Sequence, residues 1–163
     1  MKELVITKKK MNNEVINDNG FITSFTGKYE FLSNEFECEI PVEEDNLVFT
    51  NVTSALIAAK SNDIGTRRKF TRFSANKARK KESNIPDNDY WEENKDDIMY
   101  KLIYIKFTHN KDLQKKLLDT EPNKLVNSVT YPDTYYGVRF GEGRNMLGHI
   151  IMQVRDDILK SKE

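Results

Sequence analysis

A lysine ends the stretch NVTSALIAAK, Asn51 to Lys60. At 100° per residue Thr53, Leu56, Ile57 and Lys60 share one helical face, at i, i+3, i+4 and i+7. An apolar face that carries an amine has two readings. The side chain snorkels to the surface with its stem on apolar neighbours, or the amine is held for a ligand. A second chemically suggestive stretch is FLSNEF (31–36), where Ser33 and Asn34 sit between aromatic residues. These two can close a local turn or hydrogen-bond the hydroxyls of a sugar. A third is GEGRN (141–145), with two glycines ahead of a helix, which could present backbone N–H groups to a phosphate. It is neither a G-x-G-x-x-G after a strand nor a P-loop, and a turn with Asn145 as helix cap is compatible with the same residues. A fourth is the run Arg67, Arg68, Lys69, Arg72, Lys77, Arg79, Lys80 and Lys81, with Phe70 and Phe73 interleaved. It reads as a solvated helix face or as a contact surface for phosphates or nucleic acid. Nothing has the spacing of a metal site. His109 and His149 are far apart and each is expected at the surface or a helix end, and Cys38 has no matched histidine. Neither a metal, a cofactor nor a catalytic thiol is expected.

The elements that would position these groups follow from periodicity and punctuation. Residues 1–20 are polar, lack sustained periodicity and end in NDNG, a turn signal. They read as an N-terminal arm or an extra strand. FITSFT (21–26) predicts a strand stopped by Gly27, and FECEIPV (36–42) a second, placed at a sheet edge by Pro41. LVFT (47–50) is a third, after the turn EEDN. Together they predict a small antiparallel sheet. Helices are expected at 52–61, once or twice within 63–81, at 90–108, at 111–120 before Pro122, and at 146–160. The long one shows Trp91, Ile98, Leu102 and Ile105 on one stripe; the last shows Leu147, Ile150, Ile151, Val154 and Ile158. NKLVNSVT (123–130) reads as a strand and YPDTYYGVRFGEGRN (131–145) as a loop rich in Gly and Tyr. The expected class is α+β, mostly helical, a single domain around a small antiparallel sheet.

Composition sets the outer bounds. A chain of 163 residues suits one domain and buries roughly 70% of its unfolded surface. Lys+Arg and Asp+Glu both count 26, so whole-molecule charge gives no argument for nucleic acid or membranes. One cysteine allows no internal disulfide, which suits a reducing compartment. No apolar run approaches the length of a membrane span, and the N-terminus lacks the pattern of a secretory signal. The expectation is a soluble, cytoplasmic protein with no membrane partner.

Taken in order, these stretches resemble the NADAR superfamily, the YbiA-like fold. FLSN (31–34), a strand, and a helix closing on Ala58, Ala59 and Lys60 come first. Trp91 then opens a long helix leading to IKF (105–107), and LLDTEPNKLV (117–126) resembles an LL-x-T-x(3–4)-LV segment. DTYYG (133–137) and GEGRNMLGHIIMQVR (141–155) resemble D-x-x-W-G and G-x-G-x-N-x-L-G…M-x-x-R. The resemblance covers about residues 21–160. It implies an α+β domain with a central cleft, binding of ADP-ribose-like or phosphoribosyl-aminopyrimidine ligands, and hydrolysis of an N-glycosidic bond to ribose. Some relatives remove ADP-ribose from guanine bases in nucleic acid, phage-borne ones among them. The implied partner is therefore a nucleotide-ribose small molecule or an ADP-ribosylated nucleic acid. The Lys- and Asn-rich composition suits an AT-rich genome such as a phage's.

The resemblance also implies roles. Lys60 matches a pocket lysine: desolvated, with a lowered pKa, it would attack an anomeric carbon or an opened ribose aldehyde to form a Schiff base, or stabilise developing charge. Asp133 is the surviving carboxylate, with Glu142 a second candidate. Phe31, Ser33 and Asn34 would hold the ribose and Tyr136 would stack on a base. Gly137 belongs to the same ligand-binding set, as does the loop of Gly143, Arg144 and Asn145 for phosphate. Trp91 lines the pocket or packs in the core. Departures stand beside these matches. A helix glutamate of the pattern E-x(6)-K is Thr53 here, a histidine after it is Ser54, a second glutamate is Asn127, and a tryptophan is Tyr136. Thr53 cannot titrate usefully near neutral pH. The alternative is a degenerate relative that binds or sequesters such a ligand without cleaving it. A further one is an interaction protein using the 67–81 surface.

Overall fold

The structure is a computed structural model that describes residues 20–163, so the arm or strand expected over 1–20 lies outside the described residues but for Gly20. In chain order the elements are β1 (Phe21–Ile22), a 3-10 helix (Gly27–Leu32), β2 (Ile40–Val42), β3 (Leu47–Phe49), α1 (Val52–Ala58), α2 (Ile64–Phe70), α3 (Ala75–Lys81), α4 (Asp89–His109), α5 (Lys111–Leu118), β4 (Lys124–Leu125) and α6 (Met146–Ser161). They divide into two compact units. Of the described residues, one holds those from Gly20 to Ser33 together with Lys116–Glu163, the other Asn34–Lys115. The α+β class, mostly helical, is as expected.

In the Asn34–Lys115 unit, short polar residues start the helices. Asn51 accepts from the Ser54 N–H, Asp63 from Thr66, Ser74 from Lys77 and Asn88 from Trp91, each satisfying a backbone donor of a first turn. Helix α1 packs on α3 and on α4, and α4 packs on β2. Strands β2 and β3 form an antiparallel hairpin with Pro41 opposite Val48. Its turn ends on Asn46 at φ 52°, a left-handed conformation that asparagine tolerates. The buried stripe of α4 is rotated from the expected one. Met99, Leu102, Ile103, Lys106 and Phe107 are buried, while Ile98 and Ile105 are only half-buried. The true stripe contains a lysine, and that charge disguised it.

In the other unit α6 buries the five aliphatic residues of its expected stripe, and it packs on β4. Here the sheet differs from expectation. The strand over 21–26 shrinks to Phe21–Ile22 and runs parallel to β4, with Phe21 opposite Lys124. Among the named strands of the described residues, β2 and β3 are the antiparallel pair. A parallel pair has no hairpin turn to announce it and needs a long crossover. Around it Val126 and Val138 form a small apolar cluster with Phe21.

Candidate functional site

The expected site residues divide between the units. Asn34, Lys60 and Trp91 belong to the Asn34–Lys115 unit, and Phe31, Ser33, Asp133, Tyr136, Gly137, Gly143, Arg144 and Asn145 to the other.

Lys60 lies in the turn that closes α1. It is buried at 7% exposure, and Thr53 and Ile57 on the same face are buried too. The amine does not snorkel to water. It meets Glu82 Oε1 at 3.2 Å and the Asp87 carboxylate, and lies 5.8 Å from the centre of the Trp91 ring. Asn88 joins the two ends of this cluster: its Nδ2 donates to the Lys60 carbonyl at 3.1 Å, while its Oδ1 caps α4. Burial pulls the Lys60 pKa down, but the hydrogen bonds and charges of Asp87 and Glu82 outweigh it, and the net shift is upward. Lys60 in return holds Asp87 below the usual carboxylate range. This corrects the expectation of a lowered pKa. A raised pKa favours the ammonium form, which suits stabilising negative charge better than nucleophilic attack. Trp91 is itself buried at 8%, in the core of its unit and over the amine at once.

Asn34 fixes the other end of α1. Its carbonyl accepts the Thr53 N–H at 3.0 Å, its Nδ2 reaches only the Met99 sulfur at 4.0 Å, and its Oδ1 is buried with no hydrogen-bond partner. A buried acceptor without a donor is costly and is what a ligand hydroxyl would satisfy. Ser54, at the family's histidine position, is fully buried and donates to the Phe73 carbonyl at 2.9 Å. It ties α1 to the turn between α2 and α3.

In the other unit much of the expected site has structural work. Asp133 Oδ1 accepts the N–H groups of Tyr135 at 3.1 Å and Tyr136 at 2.9 Å, closing an Asx-type turn. Asn145 does not cap α6 with its side chain, contrary to expectation. At φ 53° and fully buried, its Oδ1 accepts the Asn127 N–H and its Nδ2 donates to the Leu125 carbonyl, both at 2.8 Å. The first N–H groups of α6 are also taken: Met146 donates to the Tyr135 carbonyl and Leu147 to that of Tyr136. These two N–H groups are therefore not open to a phosphate. Gly143, at φ +148°, has no room for a side chain, because a Cβ would meet the Gly137 carbonyl at 2.2 Å. Arg144 is exposed, 5.6 Å from the Tyr135 ring, and free to meet an anion. Tyr136 is half-buried and packs edge-on against Tyr135, with centroids 4.8 Å apart. Phe31 is buried, with the Lys116 amine 5.8 Å from its ring, and Ser33 follows the 3-10 helix, half-buried. Glu142 is exposed. Arg155, of the M-x-x-R motif, is buried and donates to Thr120 Oγ1 and the Asn123 carbonyl. It pins the turn before β4.

The histidines split. His109 ends α4 and pairs with Glu39 at 2.9 Å, as a helix-end residue. His149 lies inside α6, half-buried, with Nε2 buried and unpartnered. Burial and then the Lys124 charge lower its pKa. Among the described residues no three or more His, Cys, Asp or Glu are grouped to hold a metal, and no helix is long and apolar enough to cross a membrane.

Sequence reasoning quoted Lys106 inside IKF and gave it no role. It is 1% exposed, with its amine 5.1 Å from the Phe107 ring centre and 5.7 Å from that of Phe36. Burial lowers its pKa to about 8, against a small upward contribution from Cys38. Its spacing from Met99, Leu102 and Ile103, at i+7, i+4 and i+3, was the signal available.

Comparison with known proteins places these features. The NADAR domain family matches residues 20–159. N-glycosidase YbiA of Escherichia coli K12 is 37% identical over 73 residues, 44% of this chain and 45% of that protein. The chloroplastic riboflavin biosynthesis protein PYRR of Zea mays is 41% identical over 69 residues, 42% of this chain and 11% of that protein. The matched stretch thus spans less than half of either relative. The solution structure of E. coli YbiA superposes with a TM-score of 0.77 at 27% identity, covering 88% of each chain.

Proposed function

The chain belongs to the NADAR domain family, and on that premise we propose that it binds a ribose-bearing nucleotide ligand and hydrolyses an N-glycosidic bond to ribose. The observation that carries the reading is the Lys60 cluster: a buried ammonium fixed by two carboxylates beside an aromatic ring. Water adds to the anomeric carbon, the C–N bond breaks, and the departing base takes the electron pair. A fixed ammonium aimed at that base stabilises the charge it gains. The unpartnered Asn34 Oδ1 accepts from a ribose hydroxyl. For the other unit, taken by itself, the family resemblance assigns roles by sequence position: Arg144 a cation for phosphate, Tyr136 a ring for a base, and Asp133, as the surviving carboxylate, the proton from water. The names of the two relatives, an N-glycosidase and a riboflavin-biosynthesis protein, support glycosidic cleavage as the reaction class, and the family resemblance supplies the two substrates to test, ADP-ribosyl-guanine and ribosylaminopyrimidine phosphates.

A binding protein without turnover is the second reading, and Thr53 favours it: the helix position that would carry a carboxylate is a buried threonine. Incubation with ADP-ribosylated-guanine DNA, followed by chromatography for released ADP-ribose, tests both. Release by the native protein supports hydrolysis. Release only by Thr53→Glu means an intact site that lost its acid, and binding is then the function. No release from either, with ribosylaminopyrimidines also uncleaved and no ribotide bound in calorimetry, overturns both readings.

A further inference from the structure

Helix α1 has a second face. Ala55, Ala58 and Ala59 lie across the helix from Thr53 and Ile57. The three alanines floor a cavity of about 160 Å³ whose walls include Val42, Ile98, Leu102 and Ile105, all within the Asn34–Lys115 unit. A cavity of about 150 Å³ takes one benzene ring, so this one is sized for a single six-membered ring and is too small for a nucleotide. Tyr90 lines it as well and is 67% exposed. An aromatic ring left in water beside an apolar cavity gains by covering a ligand there.

The cavity also has a polar side. Arg67 lines it, with Nε donating to the Ser61 carbonyl at 2.6 Å and Nη1 to Asp45 at 2.8 Å. The guanidinium is thereby fixed while Nη2 keeps its donors. Asp45 lines the cavity too, as do Glu44 and Lys101, which pair with each other. Two cations facing two carboxylates carry no net charge. They offer donors and acceptors together without the field that would draw in an ion.

We propose that this cavity is a binding site for a neutral single-ring nitrogen heteroaromatic of the pyridine-carboxamide or pyrimidine kind, with its ring on the alanine floor and its polar edge at Arg67 and Asp45. The site goes beyond the glycosidase reading, uses the opposite face of α1, and stands or falls independently of it. The test is titration of the full chain with nicotinamide, benzoate and toluene in turn, read by NMR at the Val42, Ile98 and Ile105 methyl groups. Nicotinamide is expected to move these signals saturably and to bind more tightly than the other two. Ala59→Leu, which fills the floor, should weaken nicotinamide by at least about tenfold. Arg67→Met should weaken nicotinamide and leave toluene unchanged. If Ala59→Leu disturbs the rest of the spectrum, Arg67→Met carries the test. Toluene binding as tightly as nicotinamide would mean an apolar void without polar reading. Tighter benzoate would mean an anion site, and no saturable shift would mean no site. Each of these overturns the proposal.

Discussion

Two lysines of the Asn34–Lys115 unit are buried, Lys60 at 7% and Lys106 at 1% exposure, with the Lys106 amine the more deeply enclosed of the two, and their acidities move in opposite directions. Burial is the largest influence on both. At Lys60 the hydrogen bonds and charges of Asp87 and Glu82 outweigh it, and the pKa rises. At Lys106 burial outweighs the upward influence of Cys38, and the pKa falls to about 8. Removing an amine from water does not by itself make a nucleophile; the nearby carboxylates decide. Lys60 is held in its charged form, while Lys106 is the amine that loses its proton first.

That contrast can be broken from either side. The largest expected effect is on turnover. If Lys60 acts as a fixed cation, Lys60→Met lowers product release by on the order of a hundredfold or more with an unchanged circular dichroism spectrum, and full activity would remove Lys60 from the mechanism. Next comes stability. The pKa of Lys106 is lower folded than unfolded, so the unfolded chain binds more protons between the folded value of about 8 and the ordinary 10.5. Stability therefore rises with pH across that window. The buried charge costs about 3 kcal/mol at neutral pH, so Lys106→Met should raise the melting midpoint at pH 7 by roughly 5 °C or more. It should also abolish the rise above pH 8 in pH-dependent melting. Lys60 has the opposite sign: its raised pKa contributes stability that is complete below the unfolded value and lost only as pH climbs through the higher folded one. A smaller effect sharpens the contrast. With Glu82→Gln and Asp87→Asn combined, burial at Lys60 is unopposed. Its pKa should fall below the ordinary lysine value, turning it into a second Lys106.

How far the sequence foretold this depends on whether a feature is local. The stripe of α6 and the face shared by Thr53, Ile57 and Lys60 were legible because helical periodicity is carried within a few turns. The caps Asn51, Asp63, Ser74 and Asn88 are equally local, although none was singled out from the sequence. The pairing of β1 with β4 was not legible, since parallel partners are separated by most of the chain. The partners of Lys60 come from Glu82 and Asp87, beyond two intervening helices, so periodicity named the amine but not its charge state. Asn145 was legible as a helix start but not as the side chain that joins α6 to Leu125 and Asn127. Gly143 resembled part of a phosphate loop, while close backbone packing accounts for it. Lys106 was hidden because a charge at a core position reads as the edge of a stripe.

The most direct test is a pH titration of lysine ε-methylene signals by NMR, with Lys60→Met and Lys106→Met used to assign them. The account predicts one amine with a midpoint near 8 that disappears in Lys106→Met, and a Lys60 amine still protonated past the ordinary value of 10.5. A Lys60 amine that titrates first would contradict it, and would return the nucleophile to the end of α1.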